Sequence, residues 1–146
     1  MVAMDFLLSP KERAQKYWDG FLYKTLIECE RQFTWLAFTI KGKSLVGKGT
    51  LEREDRKYHF SLECSPFNPG RMERIWVETP HLIKSFDIHF NGDGSLCLYH
   101  PILDLKGRPY IDLVDVLPWI SEWIDYYELY LKYKVWLGPE HPHYIK

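Results

Sequence analysis

Apolar side chains recur at three- and four-residue spacing at Ala14, Tyr17, Phe21, Leu22, Leu26 and Cys29, a period that predicts a helix with one apolar face. Its start is marked by Ser9-Pro10-Lys11-Glu12: Ser9 caps, Pro10 suits the first helical position, and Glu12 closes a capping box. Gly20 costs the helix about 1 kcal/mol relative to alanine, too little to break it. The period then shortens. FTWLAFTI (residues 33–40) is apolar on both faces, as a central strand would be. Lys41-Gly42-Lys43 turns the chain into a weaker strand over residues 44–52, and a charged connection follows at 53–56. Over residues 57–64 the alternation is clean, with Tyr58, Phe60, Leu62 and Cys64 on one face. SPFNPG is a turn signal, and residues 71–78 read as a fourth strand with Ile75 and Val77 opposite Trp76. Short links between consecutive strands predict an antiparallel meander.

From residue 79 to residue 110 no period is sustained. A loop of this length is uncommon in a compact domain and is often functional. Helical spacing returns at Leu113, Val116, Leu117, Ile120, Trp123, Ile124, Tyr127 and Leu131, with Pro118 restarting the helix rather than lying inside it. The closing VWLGPEHPHYIK is too rich in Gly, Pro and His to extend it. With no internal repeat, linker or low-complexity run, residues 1–146 read as a single α+β domain. Its order is N-terminal helix, four-stranded antiparallel meander, cysteine-bearing loop, C-terminal helix.

Composition narrows the function. A chain of 146 residues, 46% hydrophobic and 27% charged, can bury a core without disulfide or metal staples. Its net charge of −1 argues against a general grip on nucleic acid, which needs a basic surface. Six Trp and ten Tyr supply much of the core and offer aromatic side chains of the kind favoured at a protein partner surface. Three widely spaced cysteines without a C-x-x-C suggest neither a disulfide framework nor a zinc ribbon. No secretory pattern opens the chain, and no apolar stretch nears the roughly 20 residues needed to span a bilayer. These features predict a cytoplasmic protein with free thiols, no membrane contact, and no metal or cofactor.

The candidate chemistry lies in HFNGDGSLCLYHP, from His89 to Pro101. Cys29 and Cys64 fall on the apolar faces of their elements and read as small core residues. Cys97 differs, because it follows a turn, Asn91-Gly92-Asp93-Gly94-Ser95, able to expose several backbone N–H groups. Donors aimed at a developing oxyanion stabilise acyl transfer, so a thiol there is a candidate nucleophile.

Asp93-Gly94-Ser95-Leu96-Cys97-Leu98 resembles the cysteine turn of ubiquitin-conjugating enzymes, D-G-x-[IL]-C-L, and the element order matches that fold. A closer likeness is to the bacterial conjugating-enzyme-like proteins of antiphage CBASS operons. The likeness is carried by His89, the 93–98 run, Tyr99, Pro101, Pro118-Trp119, Trp123, Tyr127-Glu128, Trp136-Leu137-Gly138, Glu140 and His143. It implies a ubiquitin-conjugating-like fold and a thioester between Cys97 and a protein C-terminus, that of a cyclic-nucleotide synthase. The acyl group would then pass to a lysine amine of a target. The resemblance leaves open whether a separate activating enzyme is needed.

The sequence departs from the eukaryotic His-Pro-Asn, reading His89-Phe90-Asn91. Counting back from the turn puts His89 where the family's asparagine stands, so His89 is the favoured oxyanion donor. Asn91 and Asp93 support the turn, since Asn tolerates positive φ. Asp104 and Glu128 are candidate carboxylates for drawing a proton from the attacking amine, each with a solvated surface charge as the plainer reading. Gly138-Pro139-Glu140-His141-Pro142-His143 invites a metal reading, but catalytic zinc needs three convergent ligands that spacing does not show. Packing of that tail on the cysteine loop, with His143 at the cleft, fits better. Trp119, Trp123, Tyr127 and Trp136 read first as core and second as partner contacts. The rival to an acyl carrier is a non-catalytic binding module of the same fold that holds a synthase or effector. A thiol enzyme of unrelated fold is the third reading.

Overall fold

The computed structural model describes residues 9–68, 71–83, 88, 90–99, 104–106 and 110–138. Helix α1, Pro10–Gln32, begins where its cap residues place it: the Ser9 hydroxyl accepts from the Glu12 N–H at 3.1 Å and faces the Glu12 carboxylate at the same distance. Its buried residues are Leu22, Thr25 and Cys29, with Phe21 and Leu26 packed alongside. The buried stripe is thus narrower than the apolar spacing suggests. Tyr17 remains 61% exposed, Ala14 is also exposed, and Thr25 enters because its hydroxyl donates to the Phe21 carbonyl at 2.9 Å.

Four strands follow: β1 (Leu36–Lys41), β2 (Ser44–Arg53), β3 (Arg56–Cys64) and β4 (Glu73–Thr79). They pair antiparallel in chain order β1-β2-β3-β4, the expected meander. The first strand is an edge strand rather than a central one. Part of its apolar run lies outside the strand altogether: Phe33 ends α1 with its N–H on the Cys29 carbonyl at 2.8 Å, and Trp35 packs edge-on against Phe60 at 5.8 Å. Within β1 the pattern is ordinary alternation, Leu36 and Phe38 inward, Ala37 and Thr39 outward. In β3, Tyr58, Phe60, Leu62 and Cys64 are all buried, as their period requires. On β4 Ile75 is buried and Val77 half-buried, yet the same face begins with a buried carboxylate, Glu73.

The C-terminal helical region is split, as Pro118 demands. A short α2, Leu113–Val116, gives way through Leu117 to α3, Pro118–Tyr133. Val116, Leu117, Ile120 and Ile124 bury completely against Leu22, Leu45, Leu62 and Ile75 in one hydrophobic core. The helix ends at Lys134 in left-handed backbone, and Trp136 folds back onto Trp123 at 5.4 Å. At the far end of the sheet, polar contacts tie α3 to the β2–β3 hairpin. Arg53 pairs with Asp125 at 2.6 Å and Arg56 with Glu128 at 3.1 Å. No described helix is long and apolar enough to cross a membrane.

Candidate active site

The cysteine loop is fastened to β4 before it reaches the thiol. The Leu96 N–H donates to the Ile75 carbonyl at 2.7 Å, and Phe90 and Leu96 form a β-bridge that closes the turn between them. Inside, Asn91 donates its side-chain amide to the Ser95 hydroxyl at 2.9 Å and to the Leu96 carbonyl at 2.8 Å. Its carbonyl accepts the Gly94 N–H at 2.9 Å, and its own N–H donates to the Ser95 carbonyl at 2.9 Å. Asp93 accepts from the Ser95 N–H at 2.9 Å and from the Ser95 hydroxyl at 2.6 Å. Gly94 takes φ +85°, which an L side chain would strain. The turn was expected to expose several N–H donors. Those of Asn91, Gly94, Ser95 and Leu96 instead have acceptors within the fold, because a tight polar turn must satisfy its own backbone when buried.

Side chains from β4 and from Arg71, two residues before it, hold this turn. Arg71 donates through Nη1 to Asn91 Oδ1 at 2.6 Å, Arg74 Nε meets Asp93 Oδ2 at 3.1 Å, and the Trp76 indole reaches the Asp93 carbonyl at 3.4 Å. Burial alone would raise the Asp93 carboxyl, but the Ser95 hydrogen bonds and the charges of Arg74 and Arg71 outweigh it and hold it below its ordinary range. Glu73 goes the other way. Its burial raises it, and the hydrogen bond from Tyr99 with the charges of Arg71 and Arg74 offsets only part. Tyr99 is pushed up in turn, by burial and by the Glu73 charge.

Cys97 lies just past the turn and is 4% exposed, with its Sγ 3.9 Å from the Tyr99 carbonyl. Burial pushes the thiol up to about 11; Arg71 draws it down and Asp104 raises it further. The thiol opens onto a cleft of about 200 Å³ whose walls include Trp119, Trp123, Tyr126 and Trp136, with the carboxylates of Asp104 and Glu122 on its lining. Trp123 and Trp136 are buried in the core as expected, with Trp119 packed against it, and all three also line the cleft beside Cys97; Tyr127 stays in the core, stacked on Trp123 and accepting the Ile83 N–H at 2.9 Å.

Cys97, Asn91, Asp93 and Asp104 thus converge on one place. Glu128 does not join them. It accepts from the Tyr58 hydroxyl at 2.7 Å and pairs with Arg56, a seam between helix and sheet, because its helix position faces β3 rather than the cleft. His89, Pro101 and His143 lie outside the described residues, as do the histidines of the tail. Trp136, just before that tail, lines the cysteine cleft, and residues 139–146 lie outside the described residues. Cys29 and Cys64 are buried in the core, and burial pushes both thiols up to about 12. Arg71, Glu73, Arg74 and Glu122 escaped the sequence reading. The available signal was Glu73 itself, a carboxylate at the same parity as Ile75 and Val77 on a face otherwise assigned to the core.

The chain resembles one known protein family over most of its length. The model of the family described as Type II CBASS E2 protein matches residues 25–144. No curated protein matches the chain.

Proposed function

We propose, since the chain belongs to the type II CBASS E2 family, that it is a conjugating enzyme of the ubiquitin-conjugating fold in bacterial antiviral defence, with Cys97 as its acyl carrier. In this reading the Cys97 thiolate attacks the carbonyl carbon of an activated protein C-terminus, the activating group leaves, and a thioester forms. A neutral amine of a target lysine then attacks the same carbon, sulfur departs as thiolate, and an amide remains. The donor is the C-terminus of a cyclic-oligonucleotide synthase, the protein partner the family suggests, activated by a separate enzyme or presented already activated. His89 is the favoured donor to the oxyanion, and His143 a residue of the cleft rim.

The observation that carries the reading is the placement of Cys97. Of the three thiols it alone opens onto a cleft, whereas Cys29 and Cys64 belong to the core cluster. Asp104 and Glu122 beside it suit an incoming ammonium and can accept its proton. Asn91 and Asp93 serve by fixing the turn, since their side chains are spent on Ser95, Leu96, Arg71 and Arg74.

One observation favours a second reading. A thiol this buried and this weakly acidic also fits a non-catalytic module whose aromatic cleft grips a synthase tail. Co-expression with the cognate synthase, followed by gels with and without thiol, separates the two. The acyl carrier gives a thiol-labile adduct that disappears in Cys97→Ala. A complex unaffected by Cys97→Ala, with no adduct even when an activating enzyme is supplied, would establish the module instead.

A further inference from the structure

A buried thiol ionises more readily where a positive charge meets it, and two arginines lie at the root of the cysteine turn. They are used differently. Arg74 is committed to the turn's frame: it pairs with Asp93 at 3.1 Å and donates to the carbonyls of Arg71 at 2.8 Å and Glu73 at 3.2 Å. Arg71 is half-buried and anchored by Nη1 on Asn91 Oδ1 at 2.6 Å, while Asn91 grips the Leu96 carbonyl immediately before Cys97. Two short links therefore join the Arg71 guanidinium to the peptide that carries the sulfur. A planar guanidinium can hold Asn91 by one edge and leave its charge directed elsewhere, which an ammonium on a flexible stem does less well.

We propose that Arg71, anchored on Asn91, is the positioning residue whose positive charge sustains the Cys97 thiolate. This rests on Cys97 being the reacting thiol and adds the group that makes it reactive. Among the described residues, carboxylates oppose or dilute that help. Asp104 acts directly against it, Glu122 lines the same cleft, and the Glu73 carboxylate, hydrogen-bonded by Tyr99, also draws on the Arg71 charge. Arg71 is the one described cation whose field at Cys97 is favourable to ionisation.

The test is alkylation of the full chain by iodoacetamide from pH 7 to pH 11, read at Cys97 by mass spectrometry, for wild type, Arg71→Gln, Arg71→Lys and Arg74→Gln. Arg71→Gln is expected to move the rate profile about one pH unit alkaline, which is roughly tenfold slower at pH 8. Arg71→Lys is expected to recover part of that loss. Arg74→Gln should lower the melting temperature and give no alkaline shift of the profile. The sign protects the test from a trivial structural effect, since a loosened turn would expose the thiol and move the profile toward acid. An unchanged or acid-shifted profile in Arg71→Gln, or an equal alkaline shift in Arg74→Gln, overturns the proposal. Thioester formation is read separately on the adduct gels, so an alkaline shift without any adduct leaves Arg71 standing and removes the acyl carrier.

Discussion

With its thiol pushed up to about 11, Cys97 at rest is ionised to roughly one part in 10⁴ at pH 7. Alkylation of wild-type Cys97 should accordingly rise about tenfold per pH unit from pH 7 to near pH 10, and level off only above about pH 11. A rate already level at pH 8 would show that the thiolate is far better stabilised than its burial implies. Glu73 carries a second titration. Its folded carboxyl lies above the unfolded value, so its favourable contribution is complete below about pH 4.3 and is lost as pH rises through the folded pKa. Glu73→Gln keeps an acceptor for the Tyr99 hydroxyl and removes the ionisation. Its melting temperature should gain on wild type between pH 5 and pH 8, and a widening deficit over that range would refute this account. At this scale the turn at residues 91–95 ahead of Cys97 was legible in the sequence, because the turn is local. The sequence concealed Arg71 and Glu73, because their meaning arises only when β4 lies under a turn some twenty residues further along.

The secondary-structure elements are legible wherever one face is buried and the local chemistry agrees. Ser9 and Pro10 start α1, Pro118 starts α3, and Tyr58 to Cys64 alternate without a fault. Ser9→Ala removes the hydroxyl that accepts the Glu12 N–H and should cost about 1 kcal/mol, a fall of a few degrees in melting temperature. No change by calorimetry would mean that the first turn frays in solution. β1 was misplaced because its apolar run serves two purposes, closing α1 at Phe33 and packing Trp35 on Phe60, before the strand begins. Sequence periodicity does not separate those uses. Gly49 records the same crowding: a Cβ there would lie 2.5 Å from the Trp35 carbonyl oxygen and 2.6 Å from a Leu36 methyl. Gly49→Ala should therefore destabilise by about 1–3 kcal/mol, measurable by urea unfolding, with the cost in a backbone that cannot swing aside. A neutral result would show that this β1–β2 contact relaxes easily.

For the whole molecule, two thiols set an alkaline limit. Cys29 and Cys64 ionise near pH 9 when unfolded and are pushed up to about 12 in the core. Their contribution is complete below pH 9 and is lost as pH climbs toward 12, since the unfolded chain sheds those protons first. Cys29→Ala should be less stable at pH 7, for its lost sulfur, but should lose less stability between pH 8.5 and pH 11; parallel curves for the two proteins would contradict this. The general architecture could be read from the order of periods, while the cleft could not, since Trp119, Trp123 and Trp136 meet Cys97 only through tertiary packing. The chain-order meander has one further consequence, in time rather than space. Every strand pairs with its neighbour in sequence, so the sheet closes only short loops, whereas the Tyr58–Glu128 contact spans 70 residues. The sheet and α1 should therefore assemble first, and α3 should arrive last to complete the cleft. During refolding, pulsed alkylation would find Cys29 and Cys64 protected while Cys97 still reacts, leaving the thiol of the cleft as the last to be sheltered.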